Sequence, residues 1–513
     1  MKAKSSPAAC DKHSSFDNMK LLLAGELGNS IASDPRTLRD IWPRLVDLGL
    51  NTVLAPVYWD LVEPEEGRFE FELVDELLRL ARASNQRLVL LWFGSWKNSM
   101  SCYAPHWVKL DQRRFPRARL HDGSALEILT AFSQENLDAD RRAFAQLMRY
   151  LKACDGEQHT IALVQVENEV GMLEQARDAC DAANQAFRSA VPADLIRALA
   201  DRPSPWGERL EPFLDQRNST WTDVFGEGSA TDELFQAYFF AKYVDAVAEA
   251  GKREYAVPMF VNAALNRPGA RPGQYPSGGP LPHLFDVWKA AAPHLDLLSP
   301  DIYLPDFEHW CSAYHSPDNR LFVPEATGGA ECAVHALYAI GATQALGFSP
   351  FAVEQIDPTQ SLLPACYRAL ASLEGEIAQC RAHDALGACL LTRNAPTAPL
   401  FLGGYRLDCS HDYTWEWSGP SRHLPDWPKA GALVLATQPD EFLVVGSGVI
   451  VTFGVTPPSM ERVGILTIEE LELEAGELLK RRVLSGDETH QGRHLRIAAQ
   501  TFGVQRIRLY RYR

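Results

Sequence analysis

The sequence contains no C-x-x-C pair, although it holds ten cysteines scattered from Cys10 to Cys409. Neither a zinc knuckle nor a dithiol redox motif is therefore encoded, and the thiols read mostly as small buried hydrophobes of a reducing compartment. It also lacks any apolar run long enough to span a bilayer. The start, MKAKSSPAACDKHSSFDNMK, has basic residues but none of the apolar stretch of a secretory signal. A cytoplasmic location is expected, or a periplasmic one if an export signal has been removed. Positive charge is in deficit too: the formal net charge is -16. That argues against nucleic acid or an acidic membrane as partner and favours a neutral ligand. No G-x-G-x-x-G follows the first strand-like run, and G-x-x-x-x-G-K-[ST], H-E-x-x-H and G-x-S-x-G are all missing. The fourteen histidines are dispersed, so each is read as structural or surface by default.

What the sequence does have is a repeat of short continuous apolar runs with helix-like segments between them. The runs cover residues 19–25, 51–59, 87–94, 161–168, 257–263, 295–303, 321–327 and 347–355. Continuous rather than alternating runs suit parallel strands covered on both faces, which need helical crossovers. DPRTLRDIWPRLVDLG supplies Leu38, Ile41, Leu45 and Leu48 at helical steps; Leu137, Phe144, Leu147 and Leu151 do the same further on. The fold class expected is α/β, a (β/α)8 TIM barrel over 19–384 after an N-terminal tail at 1–18, with long insertions near 95–135 and 170–235. A doubly wound open sheet is the main rival. Beyond residue 384 the texture changes to Val-, Ile-, Phe- and Tyr-rich runs with glycine turns, which predicts a smaller antiparallel, β-sandwich-like domain over 385–513. Within it, ILTIEELELEAGELLKRRVL reads as two strands around an Ala-Gly turn, and the terminal RIRLYRYR as a strand with solvated arginines.

The run LVQVENEVG, 163–171, ends in Glu167, Asn168 and Glu169, and FVPEATGG places Glu325 at the end of the seventh run. Carboxylates are costly at the end of a buried strand unless they pair or do chemistry. In a barrel, strand ends form the working face, and strands four and seven face each other across it. Two carboxyl groups about 5 Å apart are what a retaining glycosidase needs, whereas an inverting one needs a wider gap. The bland alternative is a salt bridge at the barrel end, and the residues alone leave that open.

The segments 163–171, 321–329 and NTVLAPVYWDLVEPEEGRFEF resemble glycoside hydrolase family 35, the β-galactosidases, within the clan of retaining (β/α)8 glycosidases. The family's V-Q-V-E-N-E-[YF]-G pattern corresponds to Val164–Gly171, with Val170 at the aromatic position, and its E-P-x-x-G-x-[FY]-x-F pattern to Glu63–Phe71. The likeness spans roughly 20–355 and is nearest a bacterial branch with GEL-x-NS near strand one and a β-rich C-terminal domain. It implies that Glu169 is the acid/base, Asn168 the residue holding the sugar 2-hydroxyl, Glu325 the nucleophile and Tyr303 the tyrosine that hydrogen-bonds it. By strand parity Glu167 points to the same side as Glu169, so it is a rival acid.

Two departures bear on substrate. The loop after strand three reads WFGSWKNS, with Trp96 and Asn98 where many members carry a galactose-gripping glutamate, and strand eight lacks the clan's sugar-flooring tryptophan. Tyr58, Trp59, Trp92 and Trp96 lie at strand ends, where their rings either stack on a sugar or simply pack. Glu26, Asn262 and Glu354 also fall near strand ends and are candidates to bond hydroxyls. The resulting expectation is an exo-acting retaining β-galactosidase acting on an oligosaccharide or glycoside without metal or organic cofactor, with homo-oligomerisation left open. The alternatives are another retaining β-glycosidase (β-glucosidase, β-mannosidase or α-L-arabinopyranosidase) and a silent carbohydrate-binding protein.

Overall fold

The computed structural model describes residues 16, 19–202, 206–214, 216, 218–456 and 460–513. Its eight parallel strands are β1 (Leu22–Glu26), β2 (Thr52–Tyr58), β3 (Arg87–Lys97), β4 (Ile161–Asn168), β5 (Met259–Ala264), β6 (Leu297–Ile302), β7 (Glu325–Ala326) and β8 (Gly347–Phe348). They pair in the order β8-β1-β2-β3-β4-β5-β6-β7. A parallel bridge between Val323 and Phe348 closes the ring. Helices α1 (Pro35–Asp47), α2 (Glu72–Ala83), α3 (Gln134–Asp155), α4 (Ser229–Glu254), α5 (Phe285–Ala291), α6 (Phe307–Tyr314), α7 (Cys332–Ala342) and α8 (Leu363–Ser372) each follow one strand. This is the TIM barrel expected from the apolar runs, with its loops at the strand C-termini free to carry chemistry.

Local chemistry explains the elements. β1, β2 and β4 are buried along their whole length, as strands sandwiched between a packed interior and helices must be. Helix α1 starts where Asp34 accepts the Thr37 N–H at 2.9 Å and Pro35 takes the first helical position. Ser133 caps α3 in the same way through the Asn136 N–H. Strand eight is much shorter than the run 347–355 suggested. Pro350 removes a donor, and the chain turns into a 3-10 turn at Val353–Gln355.

After α8 and a short helix, Glu374–Ala382, come ten antiparallel strands: β9 (Leu386–Leu391), β10 (Thr397–Leu402), β11 (Tyr405–His411), β12 (Ala430–Gln438), β13 (Glu441–Ser447), β14 (Val449–Val455), β15 (Arg462–Glu474), β16 (Glu477–Leu484), β17 (Leu495–Ile497) and β18 (Gly503–Tyr512). They form a six-stranded sheet, β9-β12-β13-β18-β15-β16, and a four-stranded one, β10-β11-β14-β17. Side-chain alternation divides the six-stranded sheet between two cores. Val434, Val444 and Ile507 join the sandwich interior, while Leu433, Leu443 and Val445 join the core shared with the barrel. Gly341 in α7 lies so close to Leu433 and Ala388 that a Cβ would collide with both; the glycine lets helix and sheet touch. The segment 462–484 forms two strands around Ala475 and Gly476, both with positive φ, as a tight hairpin turn requires. In β18, Ile507 and Leu509 are buried and Arg508 pairs with Glu441 at 2.8 Å. The expected tail at 1–18 lies outside the described residues apart from Phe16, which is buried in the core.

Candidate active site

The ends of β1, β3, β4, β6 and β7 meet around a cleft of about 600 Å³, lined among others by Asn29, Lys97, Asn98, Glu169, Tyr303 and Glu325. That volume lies within the ordinary range for a small-molecule pocket.

At the end of β4 the backbone breaks strand alternation. Glu167 has φ 63° and Glu169 has φ 45°, left-handed values that cost a non-glycine residue on the order of 1–3 kcal/mol. The turn at 167 sends that side chain outward and overturns the parity argument that made Glu167 a rival acid. Its Oε2 accepts the Trp96 N–H at 2.8 Å, and it lies beside Asp140 of α3, where burial and that neighbouring carboxyl push its pKa well up. Glu169 turns inward. Its N–H donates to Asn262 Oδ1 at 2.9 Å, and its carbonyl accepts the Ser99 N–H at 3.1 Å, so neighbouring strand ends hold the strained conformation.

Glu325 receives two hydrogen bonds, from the Tyr303 hydroxyl at 2.8 Å and from Asn168 Nδ2 at 3.3 Å. Carboxyl oxygens of Glu169, Glu325 and Asp301 all lie within 4.8 Å of one another, and all three residues are buried. Asn98 donates to Glu169 Oε2 at 2.5 Å, and Asn262 Nδ2 donates to Asp301 at 2.6 Å. Burial first, then the charge of Glu325, raises the pKa of Glu169 to about 7, against the opposing pull of Lys97. Glu26, at the end of β1, is fully buried beside Glu325, and neither carboxyl oxygen receives an N–H or hydroxyl donor among the described residues; desolvation and Glu325 push its pKa well up. The three mutually close carboxylates are hard oxygen donors of the kind that suits a divalent cation, but the Lys97 ammonium facing them opposes one. What the arrangement offers is proton transfer and nucleophilic attack by carboxyl groups.

The remaining sequence candidates lie elsewhere. Trp92 is fully buried against α3, bonding Asp140 at 2.9 Å and packing on Phe144. Trp96 is fully buried against α4, with Nε1 donating to the Leu129 carbonyl at 3.1 Å and its ring edge-on to Phe240 and Tyr243. Both are wall residues, fully buried and outside the cleft lining. Tyr58 donates to the Asn29 carbonyl at 2.7 Å and sits among Phe93 and Tyr103, behind the cleft. Trp59 bonds Glu63 at 3.0 Å, and Glu63 also receives the Gly67 N–H, so the E-P-x-x-G segment is a braced turn. Glu354 accepts the Gly28 N–H at 3.1 Å and braces the loop after β1. Asn98, which lines the cleft, and Asn262 both bond Glu169.

Sequence reasoning missed Asp301 and Lys97. Both had the signal used for Glu169, an ionisable residue closing an apolar strand: Asp301 in LDLLSPDIY and Lys97 in RLVLLWFGSWK. The second was overshadowed by the neighbouring Trp96 and Asn98.

Comparison with known proteins yields two family matches. Residues 33–210 match the glycoside hydrolase family 42 model, described as β-galactosidase, and residues 363–496 match a domain of unknown function, DUF5597. Over 183 residues, 35% of this chain, the sequence is 28% identical to the β-galactosidase Bga of Halorubrum lacusprofundi. The match takes in 23% of that protein's length. Among solved structures, a β-galactosidase from Bacillus circulans sp. alkalophilus is similar with a TM-score of 0.48 and 16% identity, over 70% of this chain and 56% of that one. The catalytic domain of a β-amylase from Paenibacillus polymyxa gives 0.46 and 14%, over 66% and 94%. The family 42 match overturns the resemblance to family 35. The quoted motifs record what a retaining barrel needs at strands four and seven, a demand that does not single out one family, and the E-P-x-x-G segment serves a turn rather than the site.

Proposed function

We propose that this chain is a retaining β-galactosidase that removes terminal β-galactosyl units from oligosaccharides or aryl glycosides by double displacement. The observation that carries the reading is the approach of Glu169 and Glu325 within 4.8 Å at the floor of one cleft. That is direct-displacement spacing, with no room for the water that an inverting enzyme places between its carboxyls. The family 42 match over 33–210 supports the galactosyl specificity.

Glu325 attacks the anomeric carbon as the bond to the leaving oxygen breaks, and Glu169 gives that oxygen its proton. The glycosyl ester so formed has lost the charge of Glu325, so the pKa of Glu169 falls and it becomes the base. It then takes a proton from water as the water oxygen bonds to the anomeric carbon and the Glu325 carboxylate departs. Asn168 and Tyr303 position the Glu325 carboxyl, and Asn262 holds the backbone of Glu169.

The test follows a nitrophenyl β-galactoside by proton NMR. The β-anomer of galactose is expected first, and Glu325→Gln is expected to lower turnover on the order of 10⁴–10⁶-fold. First appearance of the α-anomer, or near-normal turnover by that variant, would overturn the mechanism. A panel of aryl glucosides, mannosides and arabinopyranosides decides the glycone.

A further inference from the structure

Asp301, near the end of β6, has no task in the proposed mechanism, yet it belongs to the same group of carboxyls. It pairs in register with Ala264 of β5 and Glu325 of β7, and it brings a carboxyl oxygen within 4.8 Å of Glu169 and of Glu325. One amide ties it to the acid residue. Asn262 accepts the Glu169 N–H at 2.9 Å through Oδ1 and donates to Asp301 Oδ2 at 2.6 Å through Nδ2. The other oxygen of Asp301, Oδ1, is buried and receives no N–H or hydroxyl donor among the described residues. A bare carboxylate oxygen there is expensive, and the surrounding groups make ionisation worse. Glu26 of β1, Glu169 of β4 and Glu325 of β7 all repel it, while the Lys97 ammonium of β3 acts on Glu169 and Glu26. The Tyr303 hydroxyl is given to Glu325 and that of Tyr314, in α6, to the Pro280 carbonyl. Burial first, then the three neighbouring carboxyls, push the Asp301 pKa well up. A proton on Oδ1 removes both difficulties, because that oxygen becomes a donor, and the carboxyl it meets side chain to side chain is that of Glu169.

Building on the glycosidase reading, we propose that Asp301 is a positioning residue for the acid/base: it keeps its own proton throughout the cycle and donates a hydrogen bond from Oδ1 to the Glu169 carboxyl. Glu169 gives its proton to the leaving oxygen in the first step and takes one from water in the second; no proton leaves Asp301 in either. The bond is strongest when Glu169 is a carboxylate, so it eases release of the Glu169 proton and offsets the repulsion of the neighbouring charge. Asn262 fixes the geometry, since the same amide holds the backbone of one residue and the carboxyl of the other. The competing role is an ionised Asp301 that strengthens the hold of Glu169 on its proton by repulsion.

The two roles predict opposite shifts of the pH profile for methyl β-galactoside, whose poor leaving group needs the proton of Glu169. Asp301→Asn keeps an acceptor for Asn262 and a donor for Glu169 without a charge. With a protonated Asp301, kcat/KM in this variant is expected within about fivefold of wild type, and its alkaline limb is expected to move by less than about half a pH unit. Asp301→Ala removes the donor, so the limb is expected to rise by about one pH unit and kcat/KM to fall about 10- to 100-fold. An ionised Asp301 predicts a limb lowered by about one pH unit or more in both variants, since a repelling charge is lost. That result would overturn the proposal, as would a large loss of activity in a stably folded Asp301→Asn. Infrared difference spectra of wild type against Asp301→Asn at neutral pH supply a readout that needs no turnover. The carbonyl band of an un-ionised carboxylic acid is expected, and carboxylate bands in its place would overturn the proposal; this measurement and the Asn variant decide should Asp301→Ala fail to fold by thermal melting. Absence of turnover of a nitrophenyl β-galactoside by wild type would sink the galactosidase reading instead and leave the infrared result to decide the state of Asp301.

Discussion

Two buried carboxyl clusters lie back to back on the wall formed by β3 and β4. On the outer side Glu167 meets Asp140 of α3 next to Tyr243 of α4, and most of their oxygens are answered. Trp92 Nε1 donates to Asp140 at 2.9 Å, the Ser95 N–H at 3.2 Å and the Tyr243 hydroxyl at 3.4 Å, while the Trp96 N–H serves Glu167. Only Glu167 Oε1 receives no N–H or hydroxyl donor among the described residues, and Gly94 packs against both carboxyls so tightly that a Cβ would overlap them. On the inner side Glu169, Glu325, Asp301 and Glu26 have few donors. Both oxygens of Glu26, Oδ1 of Asp301 and Oδ1 of Asn168 receive no N–H or hydroxyl donor among the described residues, and a cleft opens onto the neighbouring Glu169 and Glu325. Burial of a carboxyl is common to both clusters. What separates them is that the outer pair meets the protein's own donors at most of its oxygens, whereas the inner group has fewer donors and its Glu169 and Glu325 line a cleft.

The largest contrast comes from changing one glutamate on each side. Glu169→Gln is expected to slow hydrolysis of glycosides with poor leaving groups about 10²- to 10⁴-fold, much less for activated aryl glycosides in the first step, and to leave the melting temperature unreduced. Azide should restore the second step. Glu167→Ala is expected to do the reverse. It strands the Trp96 N–H and opens a void beside Asp140, lowering unfolding free energy by about 2–4 kcal/mol with kcat/KM within a few-fold of normal. Denaturant titration beside steady-state kinetics reads both, and loss of activity in a stably folded Glu167→Ala would erase the distinction between the clusters.

A smaller effect is the pH dependence. In the proposed mechanism Glu169 holds its proton for the first step, and its pKa is raised to about 7 by burial and by Glu325. The rate constant kcat/KM is therefore expected to fall as pH rises through about 7. The stability consequence has the same sign. A carboxyl whose folded pKa exceeds its unfolded value binds more protons in the native state, so stability drops as pH rises from the ordinary carboxylate range through the folded value. Glu169→Gln should flatten that dependence, measured as unfolding free energy against pH. A profile unchanged by this substitution would assign the alkaline limb to another group.

These tests also mark where the sequence was legible. The barrel was readable because parallel strands buried on both faces leave continuous apolar runs, and the β-domain because glycine turns and β-branched runs leave another texture. Glu169 and Glu325 were readable as charges ending such runs. The outward turn of Glu167 was not, because it depends on a left-handed residue in a strand, which composition does not announce and which neighbouring strand ends enforce. The aromatic residues failed for a related reason. A tryptophan at a strand end can face the cleft or the helices, and only the positions of α3 and α4 decide which. Glu354 likewise found a backbone N–H 326 positions away in the chain, a contact that spacing cannot reveal.

Trp96 gives the finest test of that ambiguity, because one substitution distinguishes the two orientations. Its indole N–H bonds the Leu129 carbonyl at 3.1 Å and its ring edges meet Phe240 and Tyr243 of α4. Trp96→Phe removes the donor and part of the ring but keeps an apolar filler. The unpaired Leu129 carbonyl and the small void are expected to cost about 1–3 kcal/mol of stability, visible as a lower melting temperature. KM for an aryl galactoside should stay within about twofold, since no face of the ring reaches the cleft and a stacked sugar would forfeit about 0.5–1.5 kcal/mol or more with its platform. A rise in KM well beyond that with an unchanged melting temperature would turn the ring inward and move this residue from the closed cluster to the open one.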